Sequence, residues 1–109
     1  MEDSRLMKSM LLDFYGELLT RKQRECYDLH YNEDYSLSEI AEELNISRQG
    51  VWDIIRRAEK TLLETEEKTG LIRRFDELRA EVDEIEKLLT AGGEKSINEV
   101  LSRLEALKK

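Results

Sequence analysis

Between Leu37 and Lys60 the chain reads LSEIAEELNISRQGVWDIIRRAEK, and few folds satisfy every demand of this window. Ser36 and Glu39 stand three apart, the capping-box spacing in which each side chain bonds the other's backbone N–H. They open a short helix over Leu37–Leu44. Asn45 follows, one of the few side chains that tolerates the positive φ a tight turn between helices requires. Ser47 then caps a second helix, on which Val51, Ile54, Ile55, Ala58 and Leu62 gather to one side. Ala41 supplies a small residue where the second helix crosses the first, and Ile40, Leu44 and Ile46 line a shared core. So many matched demands point to a helix-turn-helix rather than an ordinary helical hairpin.

The rest of the chain is helical in character. No proline occurs in 109 residues, so no ring interrupts a helix. Glu, Lys, Leu, Arg and Ala dominate, and no run of β-branched residues alternates as a strand would. An all-α fold is predicted. A first helix starts after Asp3 or Ser4, with Met7, Leu11, Phe14 and Leu18 as its apolar face and Gly16 as a small cost inside it. Thr20 and Gln23 form another capping box and open a helix to about Tyr31, followed by the turn-rich loop YNEDYS.

Beyond the window the apolar seam disappears in ETEEKT, and Gly70 comes next. That is either a helix break or a solvated stretch of one long helix, and a break at Gly70 is the expectation. Leu71, Phe75, Leu78, Val82, Ile85 and Leu89 then follow a heptad rhythm. AGGEK makes a turn, Ser96 and Glu99 repeat the capping-box spacing, and a last helix carries Ile97, Val100, Leu101, Leu104 and Leu107. The expected organisation is a four-helix domain over 1–69 and a C-terminal helical hairpin over 70–109. The 71–89 seam either packs against the last helix or joins two copies of the chain as a homodimer.

Several function classes fall away. Cys26 is the only cysteine and His30 the only histidine, so neither an internal disulfide nor a four-ligand zinc site is available. Cys26 reads as a small buried hydrophobe and His30 as a partly buried helix residue. No glycine-rich phosphate loop and no nucleophile–base pair is present, so neither an enzyme nor a cofactor is expected. MEDSRLMKSM is charged and lacks a long apolar run, and no stretch reaches membrane-spanning length, so a cytoplasmic protein is expected.

What remains is binding, or a purely structural role as a helical adaptor. Turning about 100° per residue with Val51, Ile55, Ala58 and Leu62 inward sends Gln49, Asp53, Arg56 and Lys60 outward. Arg48 and Trp52 fall on one flank and Arg57 on the other. The second helix of such a motif enters the DNA major groove by its N-terminal residues. Arg48 suits guanine and Gln49 adenine, while Arg56, Arg57 and Lys60 suit phosphates, with Arg21 and Lys22 as further bases. Trp52 fits the edge of the core better than a stacking role. The field is divided: residues 47–60 hold four bases and two acids, whereas residues 32–46 hold five acids and no base, in a chain of net charge −7. A monomer is expected to bind DNA weakly, and a dimer to double the contacts.

The stretch LTRKQRECYDLHY…DYSLSEIAEELNISRQGVWDIIRRAEKTL, Leu19 to Leu62, resembles region 4 of the primary bacterial sigma factors, which reads the −35 promoter element. Matched position by position, Gln49 stands where a glutamate reads a base, Gly50 and Trp52 replace arginines, and Asp53 replaces a glutamine. The resemblance therefore implies the scaffold without the promoter specificity. The whole chain, with NISRQGVWDIIRRAEK and the helical tail, is similar to the YlxM family, small proteins of Gram-positive bacteria described as DNA-binding. Their genes lie beside those for the signal recognition particle protein and its receptor. The resemblance thus implies a regulatory or accessory role in that pathway, with DNA, the particle's protein or its RNA as the partner.

Overall fold

The computed structural model describes the backbone of residues 2–108 and the side chains of residues 5–108. Among the described residues six α-helices run in order, α1 (Glu2–Tyr15), α2 (Arg21–Tyr31), α3 (Leu37–Leu44), α4 (Arg48–Thr69), α5 (Leu71–Ala91) and α6 (Glu94–Leu107). A single 3₁₀ turn, Gly16–Leu18, joins α1 to α2. The described residues contain no strand. The chain divides into two compact units, Met1–Ile72 and Arg73–Lys109.

Local chemistry sets the helix ends of the first unit. Thr20 and Gln23 exchange side-chain and backbone bonds at 3.0 and 3.1 Å, and Ser36 and Glu39 do so at 2.8 and 3.1 Å. Both capping boxes fall where the sequence puts them. Asn45 ends α3 in the left-handed region at φ 56°. The Ser47 hydroxyl accepts the Gly50 N–H at 2.9 Å and starts α4.

Two groups of buried side chains hold these helices. Leu11, Leu12, Tyr15, Leu19, Tyr27, Ala58, Leu62 and Ile72 form one. Cys26, Ile40, Val51 and Ile55 form the other, with Leu37, Trp52 and Ile54 packed half-buried against it. Cys26 is the buried hydrophobe expected, and burial pushes its thiol above the ordinary range. His30 is half-buried, with Nδ1 in a hydrogen bond to the Tyr35 carbonyl.

The face predicted for the first helix needs correction. Leu11 is buried, but Met7, Phe14 and Leu18 are exposed, and Leu12, Tyr15 and Leu19 point inward instead. The helix also begins earlier, at Glu2. The 3₁₀ turn changes the angular step after Tyr15, so an extrapolated α-helical stripe names the wrong leucine.

Gly70 ends α4 in the left-handed conformation at φ 63°, so the chain breaks where expected. The polar segment before it is helical and has internal work to do. The Tyr15 hydroxyl donates to Glu66 Oε1 at 2.6 Å, and Glu66 Oε1 also accepts the Ile72 N–H at 3.0 Å. With the phenol proton committed, the Thr69 hydroxyl donates to the Tyr15 oxygen while accepting the Leu71 N–H at 3.3 Å. Two of the open N–H groups at the start of α5, those of Leu71 and Ile72, are thereby satisfied. Ile72 is fully buried, whereas Leu71, the residue assigned to the seam, is exposed.

In the second unit Arg103 of α6 donates to Glu81 of α5 at 2.7 Å. These residues lie at matching distances either side of the turn, so α5 and α6 form an antiparallel hairpin. Ile85 and Val100 are its buried residues. The other seam positions in the unit, Phe75, Leu78, Val82 and Leu89, keep 41 to 56% of their surface exposed. The heptad marks a true helical face, but one neighbouring helix covers only its middle. The expected capping box at Ser96 and Glu99 is absent. Gly92 and Gly93 adopt φ 74° and 93°, which complete the turn in two residues, and α6 has already begun at Glu94 with Gly93 as N-cap. Ser96 lies inside the first turn rather than ahead of it.

Candidate nucleic-acid interface

The candidate face is built on α4. Its inward stripe, Val51, Ile55, Ala58 and Leu62, is fully buried and fixes the rotation of the helix about its axis. Arg48, Gln49, Asp53, Arg56, Arg57 and Lys60 are accordingly exposed. Among the described residues none of Arg48, Arg56, Arg57 and Lys60 is held in an ion pair. Four cations on one helix therefore keep their charge available to an external anion.

Trp52 is half-buried against the second core group, and its indole separates two concave surfaces. A smaller cleft of about 480 Å3, lined by Leu37, Arg48, Gln49 and Trp52, lies at the N-terminal end of α4. A larger groove of about 760 Å3 follows the helix past Asp53, Arg56, Arg57 and Lys60 towards Glu64 and Glu67. Both belong to the first unit.

Other cations are placed differently. Lys8 also lines the groove, but its ammonium lies 3.5 Å from Glu59 and 4.2 Å from the centre of the Tyr31 ring. Burial lowers its pKa, yet the Tyr31 hydroxyl and the Glu59 carboxylate outweigh that effect and leave it above the ordinary lysine value. The Tyr31 hydroxyl in turn donates to Glu59 at 2.8 Å, so this group ties three helices together. Arg21 lines a separate cleft with Leu12, Asp13, Arg24, Glu25 and Asp28. Lys22 is exposed on α2 and lines neither concavity of α4. The structure thus brings Arg48, Gln49, Trp52, Asp53, Arg56, Arg57 and Lys60 together and leaves Arg21 and Lys22 outside both clefts.

The acids are unevenly placed. Glu33, Asp34, Glu39, Glu42 and Glu43 are all exposed on the loop and α3. Asp34 pairs with Arg5 at 2.7 Å, and the Ser36 backbone N–H holds the Glu39 carboxyl below its ordinary pKa. Asp53 accepts a hydrogen bond from the Gln49 amide at 3.0 Å. That pair stands four apart on a helix, a spacing at which side chains meet, and the sequence treats Asp53 only as an opposing charge. The roles of Leu37 and of Glu59 were likewise missed, because both depend on which helices pack together.

Among the described residues no group of His, Cys, Asp and Glu is placed to hold a metal ion, and no helix is long and apolar enough to cross a membrane.

Comparison with known proteins gives a consistent family. The family profile UPF0122, described as "Putative helix-turn-helix protein, YlxM / p13 like", matches residues 2–102. A UPF0122 protein of Thermoanaerobacter sp. strain X514 is 52% identical over 87 residues, spanning 80% of this chain and 74% of the relative. The UPF0122 protein YlxM of Bacillus subtilis is 43% identical over 99 residues, spanning 91% and 88%. A UPF0122 protein of Listeria innocua is 45% identical over 82 residues, spanning 75% and 74%.

Proposed function

This chain belongs to the UPF0122 family of YlxM- and p13-like helix-turn-helix proteins, and from that premise we propose that it is a cytoplasmic DNA-binding regulator whose reading helix is α4. The observation that carries this reading is the exposed, unpaired set Arg48, Arg56, Arg57 and Lys60 opposite a fully buried stripe. Arg48 and Gln49 at the start of α4 reach base edges, for guanine and adenine respectively. Arg56, Arg57 and Lys60 neutralise phosphates, and Arg21 and Lys22 make outlying contacts only. The scaffold is of the sigma region 4 type, with a different reading surface at Gln49, Gly50, Trp52 and Asp53.

Affinity from four cations is small, and a homodimer through the hairpin raises it. Leu78, Val82, Leu89, Ile97, Leu101 and Leu104 each keep 43 to 59% of their surface exposed. At roughly 80 Å2 apiece they offer on the order of 500 Å2 of apolar surface, about the apolar share of a standard interface of about 800 Å2 per partner. A hairpin with Ile85 and Val100 as its buried residues gains a core by pairing with a second copy.

A mobility shift on genomic fragments at about 150 mM salt tests the reading. Sequence-preferential binding by the wild type, lost in Arg48→Ala/Arg56→Ala, is the expected result. Binding without preference, or equal binding by the variant, refutes it. Sedimentation at tens of micromolar tests the dimer: Leu78→Asp/Leu101→Asp converts a dimer to a monomer, and a monomeric wild type removes the claim.

The exposed acids Glu33, Asp34, Glu39, Glu42 and Glu43 favour a second reading. They repel phosphate and suit a basic protein surface, as in an accessory factor that binds the signal recognition particle protein, or its RNA through α4. Capture of that particle's protein, unchanged by Arg48→Ala/Arg56→Ala, supports this alternative over the first.

A further inference from the structure

Asp53 looks like a defect in a DNA-reading face, yet its hydrogen bond gives it a use. Gln49 Nε2 donates to Asp53 Oδ1 at 3.0 Å. An ionised carboxylate accepts and never donates, so only the amide's NH2 side can face it. The Gln49 side chain therefore presents outward one remaining N–H beside the Oε1 acceptor. Adenine offers an N6–H donor beside the N7 acceptor on its major-groove edge, and guanine offers two acceptors, O6 and N7. The oriented amide matches adenine and sets its oxygen against guanine O6.

A second feature adjoins this pair. The cleft of about 480 Å3 lined by Leu37, Arg48, Gln49 and Trp52 puts apolar surface directly beside the amide. Among the groups on the major-groove edge, the thymine 5-methyl is the one that apolar surface recognises.

Resting on the DNA-binding reading, we propose that Asp53 is a positioning residue that fixes Gln49 to read adenine, and that the Leu37–Trp52 cleft seats the 5-methyl of an adjoining thymine. The recognised sequence then contains an adenine–thymine step under the start of α4, next to the guanine expected under Arg48. Gln49 and Asp53 are both exposed, so their replacement leaves the core intact.

The test uses duplexes enriched by the wild-type protein from a randomised pool. The Gln49 position in the selected site is the one whose base preference disappears in Gln49→Ala. There, 7-deaza-adenine is expected to weaken binding about tenfold, and deoxyuridine for the neighbouring thymine several-fold. The decisive variant is Asp53→Asn, whose amide can meet Gln49 from either side. Total affinity is expected to rise as a negative charge leaves the face, while adenine-over-guanine preference falls from about tenfold to about twofold. A merely structural residue would not move the two in opposite directions. If Asp53→Asn keeps the adenine preference, or if 7-deaza-adenine and deoxyuridine bind unimpaired, the inference is overturned while DNA binding stands. If the wild type enriches no sequence at all, the underlying reading fails and the inference with it.

Discussion

The steepness of salt dependence is the sharpest physical test of α4 as a DNA-binding helix. Each neutralised phosphate releases condensed counterions, so log K falls against log salt with a slope of about −0.9 per contact. The structure sets the number of contacts. Arg48, Arg56, Arg57 and Lys60 are exposed and unpaired, whereas Lys8 is held by Glu59, and Arg21 lies in another cleft. Arg48 is assigned to a base edge, so one protomer neutralises three phosphates and gives a slope of about −2.7, and a dimer using both copies about −5.4. Between 50 and 200 mM salt these correspond to affinity losses of roughly 40-fold and roughly 1,800-fold. Fluorescence anisotropy with a labelled duplex, titrated at several salt concentrations, distinguishes the two. Arg56→Ala/Arg57→Ala removes about two thirds of the slope in either case, because it removes two of three phosphate-directed cations per protomer. A slope near zero, or one that the double substitution leaves unchanged, refutes the assignment of these residues to phosphates.

Three further outcomes follow from the packing. Asn45 at φ 56° should tolerate glycine, while Asn45→Ala should cost about 1 kcal/mol more than Asn45→Gly in urea denaturation; the reverse order would falsify the left-handed turn. Tyr15→Phe removes a hydrogen bond to a carboxylate and should cost about 2 kcal/mol, with a double-mutant cycle against Glu66→Gln giving coupling of about 1 kcal/mol; additive effects would dismiss the contact. Tyr15, Tyr27 and Tyr31 all have hydroxyl pKa values raised above 10.0, with burial as the first cause. The folded state therefore holds protons that the unfolded chain releases, so their stability contribution is complete below pH 10 and declines above it. Each contributes a loss of up to about 1.4 kcal/mol per pH unit, and Tyr27→Phe should flatten the decline; a pH-independent midpoint from pH 9.5 to 11 would contradict it.

What was legible in the sequence was what a few neighbouring residues decide by themselves. The boxes at Thr20–Gln23 and Ser36–Glu39, the αL turn at Asn45 and the stop at Gly70 are each set within one helical turn. The stripe Val51, Ile55, Ala58 and Leu62 was legible because α4 runs unbroken through it, and so the outward face could be drawn by rotation. Illegible features arose where the phase is reset. The 3₁₀ turn replaces Leu18 with Leu19, and the left-handed Gly70 replaces Leu71 with Ile72. Ser96 and Glu99 have the same spacing as the real boxes, but Gly92 and Gly93 complete the turn ahead of them. Of the site, residue positions were readable and partnerships were not. That Glu59 neutralises Lys8, or that Leu37 meets Trp52 across a cleft, depends on helix packing rather than on any local rule.

The net charge of −7 then takes on a different meaning. Phosphates respond to charges within about one Debye length, roughly 8 Å at physiological ionic strength, so acids elsewhere in the chain are largely screened from the α4 face. Two nearby acids already face cations, Glu59 with Lys8 and Asp34 with Arg5, whereas Asp53 meets only the neutral Gln49 amide and keeps its charge on the face. A strongly basic domain of this size would hold any duplex through its phosphates, and base contacts would add little discrimination against that background. An acidic chain with a few free cations has little such background. On the proposed reading, its binding comes from the base edges it matches and from the pairing of two reading helices. The surrounding acids lower affinity for arbitrary and matched DNA alike, because the phosphate term carries no sequence information, and so leave discrimination to the base contacts. This charge pattern suits a protein that finds few sites rather than one that coats many.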